Sequence, residues 1–402
     1  FTFEKNKPLL PAATRVVIVP PDCGLELSVA TSDPRVINAN IQPAICSGDP
    51  SNSESVFSTK DIPKLNSTFP AEIAEMSEPY IVRGVRMVNI TTYPIQYDPI
   101  KDVYQQYDNI ETTVNFTDAN AVNPVRNPIR RNRSKEFLKF IRSYAINGDD
   151  VGRDDPDAEE IPEYNGHYLV VMHEECLPHV VPFIEWRRKS GWKVDILCLN
   201  ADDALNANTI KAGIQQRYDA YLDDRTDPFD QLLLIGDLVN YANLAFQPGW
   251  VLASSGHHYD WFFGLLEGGD DAADVGISRW CAGSPDQLEL FLMRTMRYEA
   301  EPNVDNMEWL NRAAVYAQRW GRNWHVSLPM NVRWGKQVLE SKNFDDIRVY
   351  ENYEQVDGAG ASVGPFIRDQ YNDGASIMIG RAENYYFRTQ LPGVDNNDVF
   401  PI

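Results

Sequence analysis

The stretch His167-Tyr-Leu-Val-Val-Met-His-Glu-Glu-Cys-Leu-Pro-His-Val-Val-Pro-Phe-Ile-Glu-Trp-Arg-Arg-Lys-Ser-Gly-Trp-Lys-Val-Asp-Ile-Leu-Cys198 decides the fold. His167 to Met172 is a continuous apolar run, the pattern of a strand buried on both faces. Pro178 to Lys189 then carries helical spacing, with proline early and Gly191 just past the end. Trp192 to Cys198 returns to a strand. Working outward, the same alternation predicts a helix over Asn208 to Leu222 and a strand over Gln231 to Ile235 that closes on Gly236-Asp237. Beyond them it predicts helix Pro285 to Tyr298, strand Ala313 to Ala317, helix Pro329 to Ser341, strand Ile347 to Glu351, helix Val363 to Tyr371 and strand Ala375 to Ile379. Strands that alternate with helices imply an α/β domain with a mostly parallel sheet covered by helices on both faces. Ligands of such a sheet bind beyond the carboxyl ends of its strands.

Upstream the pattern differs. Thr14 to Val19, Gly24 to Val29, Tyr80 to Ile90, Ile95 to Tyr97 and Ile110 to Phe116 are β-branched or alternating, with Pro and Gly clusters between them, and predict an all-β domain over residues 1–120. Residues 47–69, rich in Ser, Asn, Asp and Pro, predict a long surface loop. Residues 121–163 hold opposite charge blocks, a basic one around Arg130-Arg131 and an acidic one from Asp149 to Glu160. Two readings stay open for this linker, a solvated connector or a processing site at Arg130-Arg131. The α/β domain takes residues 164–402.

At 402 residues, with 43% hydrophobic and 24% charged side chains, the chain suits two packed domains and excludes a wholly disordered one. The formal charge of -21 disfavours nucleic acid and anionic membrane and favours cations. No apolar run reaches 18 residues, so no transmembrane segment is expected. The opening Phe1-Thr-Phe-Glu-Lys lacks a Met and a basic leader, so removal of a signal peptide and a secreted or cell-surface location are expected. The five cysteines are scattered. A Cys23–Cys46 bridge fits the N-terminal domain, and free buried thiols are expected for Cys176, Cys198 and Cys281.

Asp260 to Arg279 is rich in glycine and acid. Asp260, Asp270, Asp271 and Asp274 are oxygen donors suited to a hard cation, with calcium the expected cofactor; a solvated acidic loop is the alternative, since EF-hand spacing is absent. Asp237, His257, His258, Arg381 and Glu383 are the residues expected to line a binding cleft at strand ends, although a His pair in a Gly-Ser loop also suits an exposed position.

Several ordered motifs together resemble the gingipain family of cysteine peptidases with its prodomain. In the N-terminal part these are Leu10-Pro11 through Val17-Ile-Val-Pro20, and Val88 to Asp98 with Tyr93-Pro-Ile-Gln-Tyr-Asp-Pro99. In the second part they are His167 to Val171, Trp186-Arg-Arg-Lys-Ser-Gly-Trp-Lys-Val194, Leu234-Ile-Gly-Asp237, Asp260 to Arg279, and Tyr298-Glu299. The resemblance implies a caspase-like fold, a bacterial source and a Cys thiolate activated by a His. In the family that His stands in a Gly-His-Gly turn; the matching turn here reads Gly380-Arg381-Ala382. A guanidinium stays protonated and cannot act as a general base. The supporting acid of the family falls on Gln318, a neutral amide. The pocket carboxylate for basic substrates has no match near Ser327 to Met330, and none of the five cysteines matches the family's nucleophile. Two readings follow. One is a catalytically inactive pseudopeptidase that binds a protein or peptide partner in an extracellular assembly. The other is the N-terminal part of an active endopeptidase whose nucleophilic Cys lies beyond Ile402.

Overall fold

Buried apolar runs at positions 167–173, 231–235 and 312–317 organise the second half of the chain, each forming the middle of a parallel ladder. The structure, a computed structural model, describes residues 1–2, 4, 7–38, 45–46, 57–58, 65–125, 134–151, 164–200, 207–224, 226–236, 251–252, 258–282, 285–301, 304–305, 307–317, 327–350, 364–381, 383–385 and 388–390.

In the strand-rich part, the main strands are β1 (Ala13–Ile18), β2 (Gly24–Thr31), β3 (Arg35–Asn38), β4 (Ala74–Met76), β5 (Tyr80–Val82), β6 (Val85–Thr92), β7 (Ile95–Asp98), β8 (Val103–Gln106) and β9 (Ile110–Thr117). All their pairings are antiparallel: β6 joins β1, β4 and β5, β8 joins β3 and β7, and β9 pairs with β2. The expected single strand Tyr80 to Ile90 is two strands. Arg83 (φ 47°) and Gly84 (φ 69°) both lie in the left-handed region, which is the geometry of a two-residue hairpin turn between Val82 and Val85. The turn lifts the Arg83 side chain out of the sheet at its tip.

The charged segment ahead of residue 164 contains a helix that its charge blocks conceal. Helix α1 (Lys135–Tyr144) starts at Ser134, whose Oγ accepts the Phe137 N–H, and buries Phe137 and Ile141 against Val82, Val85 and Met87. Lys135, Lys139 and Arg142 share its other faces with Phe140 and Tyr144, whose rings stack at 5.1 Å, so the apolar content of the helix was overshadowed by the charge blocks around it.

The α/β part follows the predicted alternation. Strand β10 (His167–His173) is followed by helix α2 (Leu177–Lys189), β11 (Lys193–Leu199), helix α3 (Ala207–Asp223), β12 (Gln231–Ile235), β13 (Gly276–Trp280) and helix α4 (Pro285–Ala300). The sheet order is β11-β10-β12-β13, all parallel. Alternate residues of β10 and β12 serve opposite layers. Leu169, Val171, Leu232 and Leu234 pack on Ile210, Ile214 and Tyr218 of α3, while Val170, Met172, Leu233 and Ile235 pack on Val180, Phe183 and Ile184 of α2 and Leu288 of α4. This is the two-faced covering expected of a strand without polar alternation.

A second parallel ladder, not continuous with the first among the described residues, holds β14 (Arg312–Ala317) between β15 (Asp346–Tyr350) and β16 (Ile377–Arg381). Helix α5 (Ser327–Ser341) covers one face through Val332 and Leu339, and helix α6 (Gly364–Asp373) supplies Ile367 to the other. Chain contacts group residues 1–253 with 258–292 as one compact unit, and 254–257 with 293–402 as another. The strand-rich part and the first parallel sheet therefore belong together, for a reason that lies in the polar contacts between them.

Candidate functional site

Those contacts centre on Arg83. Its side chain is 1% exposed, a position that a guanidinium tolerates only with full pairing. Asp227 Oδ1 lies 2.7 Å from Nη2, Nη1 pairs with Asp230, and Nη2 also donates to the Pro228 carbonyl at 2.7 Å. The guanidinium stacks over the Phe137 ring, 4.4 Å from its centroid. Burial alone would lower its pKa, but Asp227 and Asp230 more than offset that and hold it above the ordinary arginine value.

Each carboxylate has further donors. Asp230 Oδ2 accepts the His167 backbone N–H at 2.6 Å, and Asp227 Oδ2 accepts that of Ser134 at 2.8 Å. Asp274 Oδ1 accepts the Arg83 backbone N–H at 2.8 Å, while its Oδ2 accepts those of Leu266 and Glu267, each at 2.8 Å. Burial outweighs these donors and pushes the Asp274 carboxyl up to about 7. Asp270 Oδ2 takes the Ile81 N–H at 2.9 Å and Asn123 Nδ2 at 2.7 Å, and its Oδ1 takes the Ala272 N–H at 2.8 Å. His167, Asp230 and Asp274 stand at or just before the first residues of β10, β12 and β13, so this clasp occupies the amino edge of the first sheet.

The four carboxylates expected to hold calcium therefore do not fit such a site. Asp270 and Asp274 are spent on backbone N–H groups. Asp260 grips Arg279 through two bonds of 2.8 and 2.5 Å, and Asp271 is exposed. Among the described residues no group of three or more His, Cys, Asp or Glu side chains could hold a metal ion. Arg83, on a turn nearly 150 residues upstream of Asp227 and Asp230, brings a positive charge to the acidic surroundings of this edge.

The predicted cleft residues are only partly placed. Asp237, His257 and Gln318 lie outside the described residues, as do the side chains of His258, Arg381 and Glu383. The backbone puts Arg381 last in β16, paired with Ala317 at the carboxyl end of β14. Gly380 before it packs so close to the Tyr316 ring that a Cβ would clash with it. Glu383 follows in a short strand, Glu383–Tyr385, and His258 opens the antiparallel pair with Val251–Leu252. The Cys23 thiol is free, so the bridge to Cys46 is not formed. Cys176 is buried as expected, and burial pushes its thiol up to about 12; Cys198 and Cys281, expected inside, are exposed. Cys198 is also raised, by partial burial and then Glu174.

Sequence reasoning missed Arg83, Asp227, Asp230 and Asn123. A signal existed for the first: Arg83-Gly84 interrupts an apolar run, and an X-Gly pair between alternating residues marks a hairpin tip. Nothing local pairs that tip with Asp227-Pro-Phe-Asp230.

Comparison with known proteins settles the lineage. The model of peptidase family C25 matches residues 161–379, and that of Propeptide_C25 matches residues 3–146. The chain belongs to peptidase family C25. Gingipain R1 of Porphyromonas gingivalis is 25% identical over 328 residues, covering 79% of this chain and 30% of the relative. Lys-gingipain of the same bacterium is 22% identical over 329 residues, covering 79% of this chain and 18% of the relative. The chain thus spans less than a third of the length of these C25 relatives. Among solved structures, the Arg-specific cysteine proteinase gingipain R is similar at 18% identity over 60% of this chain and 51% of that one, with a TM-score of 0.45. No helix among the described residues is long and apolar enough to cross a membrane.

Proposed function

We infer that this C25 chain does not cleave peptide bonds and instead binds a protein or peptide partner outside a bacterial cell. The observation that carries the reading is Arg381 at the carboxyl end of β16, where the family resemblance places a histidine. A cysteine peptidase needs a base that can lose its proton near neutral pH, and a guanidinium cannot. Two of the thiols fit the same reading: burial raises both Cys176 and Cys198, so neither is held as the thiolate that attacks a carbonyl. A permanent cation at that edge suits a carboxylate of a partner, which Arg binds in a two-pronged fashion.

The test uses the natural full-length protein, incubated with a broad peptide library and an electrophilic thiol probe. No cleavage, and no labelling faster than that of free cysteine, is expected. Specific cleavage with stoichiometric labelling of one cysteine would establish an active endopeptidase and overturn the reading.

A further inference from the structure

We propose that the carboxyl edge of the first parallel sheet holds a binding site for a small carboxylate, built by His173 and the amino terminus of α3. The inference rests neither on the loss of peptidase activity nor on the Arg83 clasp, which lies at the opposite edge. The chain runs from β10 outward to β11 and then returns to place β12 on the other side of β10, so strand order reverses at the boundary of β10 and β12. Ligands of open parallel sheets settle beyond the carboxyl ends of the strands at such a point.

His173 ends β10 at that boundary, two residues past the pairing of Val171 with Leu234 of β12. It is 3% exposed. Its Nδ1 accepts the Glu175 backbone N–H at 3.1 Å, so the ring proton is on Nε2, and that buried donor meets no acceptor among the described residues. Burying an N–H without an acceptor is costly, which makes a bound acceptor its natural complement. Strand alternation puts His173 on the α3 layer with Leu169 and Val171, and its register partner Leu199 packs in the same cluster as Ala207 and Ile210 of the first turn of α3. A helix of 17 residues thus opens at the same edge. Its first N–H groups have no intrahelical acceptor, and its dipole is positive there, the combination that receives anions. From β13, Arg279 sends Nη1 to the Gly236 carbonyl at 3.2 Å, just past β12, while Asp260 balances its charge. Donors are therefore gathered with little net charge, next to exposed Glu174 and Glu175. Such surroundings suit a carboxylate monoanion over a phosphate dianion, and the burial of His173 keeps the occupant small.

The experiment follows the His173 Nε2–H by NMR in the isotope-labelled full chain, while sodium acetate replaces sodium chloride at constant ionic strength. A saturable shift of that resonance is expected, together with shifts of the Ala207 to Ile210 backbone amides. His173→Asn keeps an acceptor for the Glu175 N–H, because an Asn side-chain oxygen caps as Nδ1 does, but it has no Nε2–H. It is expected to weaken acetate binding, read at the same amides, by about tenfold or more, the order of one hydrogen bond to a charged group. Should that variant fail to fold, the ring titration of the wild type decides alone. The proposal is overturned by an Nε2–H that ignores acetate and meets only water, by an equal response to chloride, by tighter binding of inorganic phosphate, or by a folded His173→Asn that binds acetate as wild type does.

Discussion

Both parallel ladders are tied at their amino edges by arginine and aspartate, yet one tie is sealed and the other is wet. In the first sheet Arg83 reaches Asp227 and Asp230 with side chains almost wholly excluded from solvent. In the second, Arg312 opens β14 and holds Asp346, the first residue of β15, at 2.6 Å; Arg348 bridges Asp346 at 3.3 Å and Asp373 at 2.7 Å. There the Asp346 and Asp373 side chains are 40% and 52% exposed. Identical chemistry has a different worth in the two places. Water and salt already serve the exposed charges, whereas a buried carboxylate that loses its partner has no substitute.

The largest effect should come from breaking the sealed tie. Arg83→Met is expected to destabilise the unit by about 3–5 kcal/mol, read as a lower midpoint in urea unfolding. A loss under about 1 kcal/mol would remove the distinction between the ladders. Next is the pH response of Asp274. Its folded carboxyl titrates at about 7 against an ordinary 3.8, so the folded state holds a proton that the unfolded chain releases. That contribution is complete below about 4 and is lost as pH rises through 7, with a slope of up to roughly 1.4 kcal/mol per pH unit. Asp274→Asn should flatten the stability profile in that window, and an unchanged slope would show that Asp274 does not titrate there.

In the second ladder, Arg348→Ala should cost no more than about 1 kcal/mol and should do so only at low salt. A larger, salt-independent loss would mean that this tie too is shielded from water. The smallest effect is expected from the thiols. Maleimide at pH 8 should modify exposed Cys198 without changing stability, while Cys176 reacts only on unfolding; rapid labelling of Cys176 in the folded protein would contradict its burial.

Much of the fold was legible because it depends on short-range patterns. The apolar run His167 to Met172, the Pro and Gly punctuation around 178–189 and the run Gln231 to Ile235 each report burial over a few residues, and each element lies within a residue or two of its expected bounds. Helix α1 was overlooked because the basic and acidic blocks on either side of it read as a linker, although Phe137, Leu138, Phe140, Ile141 and Tyr144 lie within it. The acidic loop was legible as acidic and misleading as to partner. Asp270 and Asp274 look like cation ligands until the hairpin some 190 residues upstream delivers the Ile81 and Arg83 N–H groups to them.

The sequence alone determined that a strand-rich segment precedes an α/β segment and that the chain is of gingipain type, since these are matters of residue identity and local period. Tertiary structure alone decided which buried carboxylate answers which donor. Pairing across the amino edge joins residues separated by about 150 to 190 positions, and the energy of a buried charge depends on the solvent excluded around it, which no local pattern records.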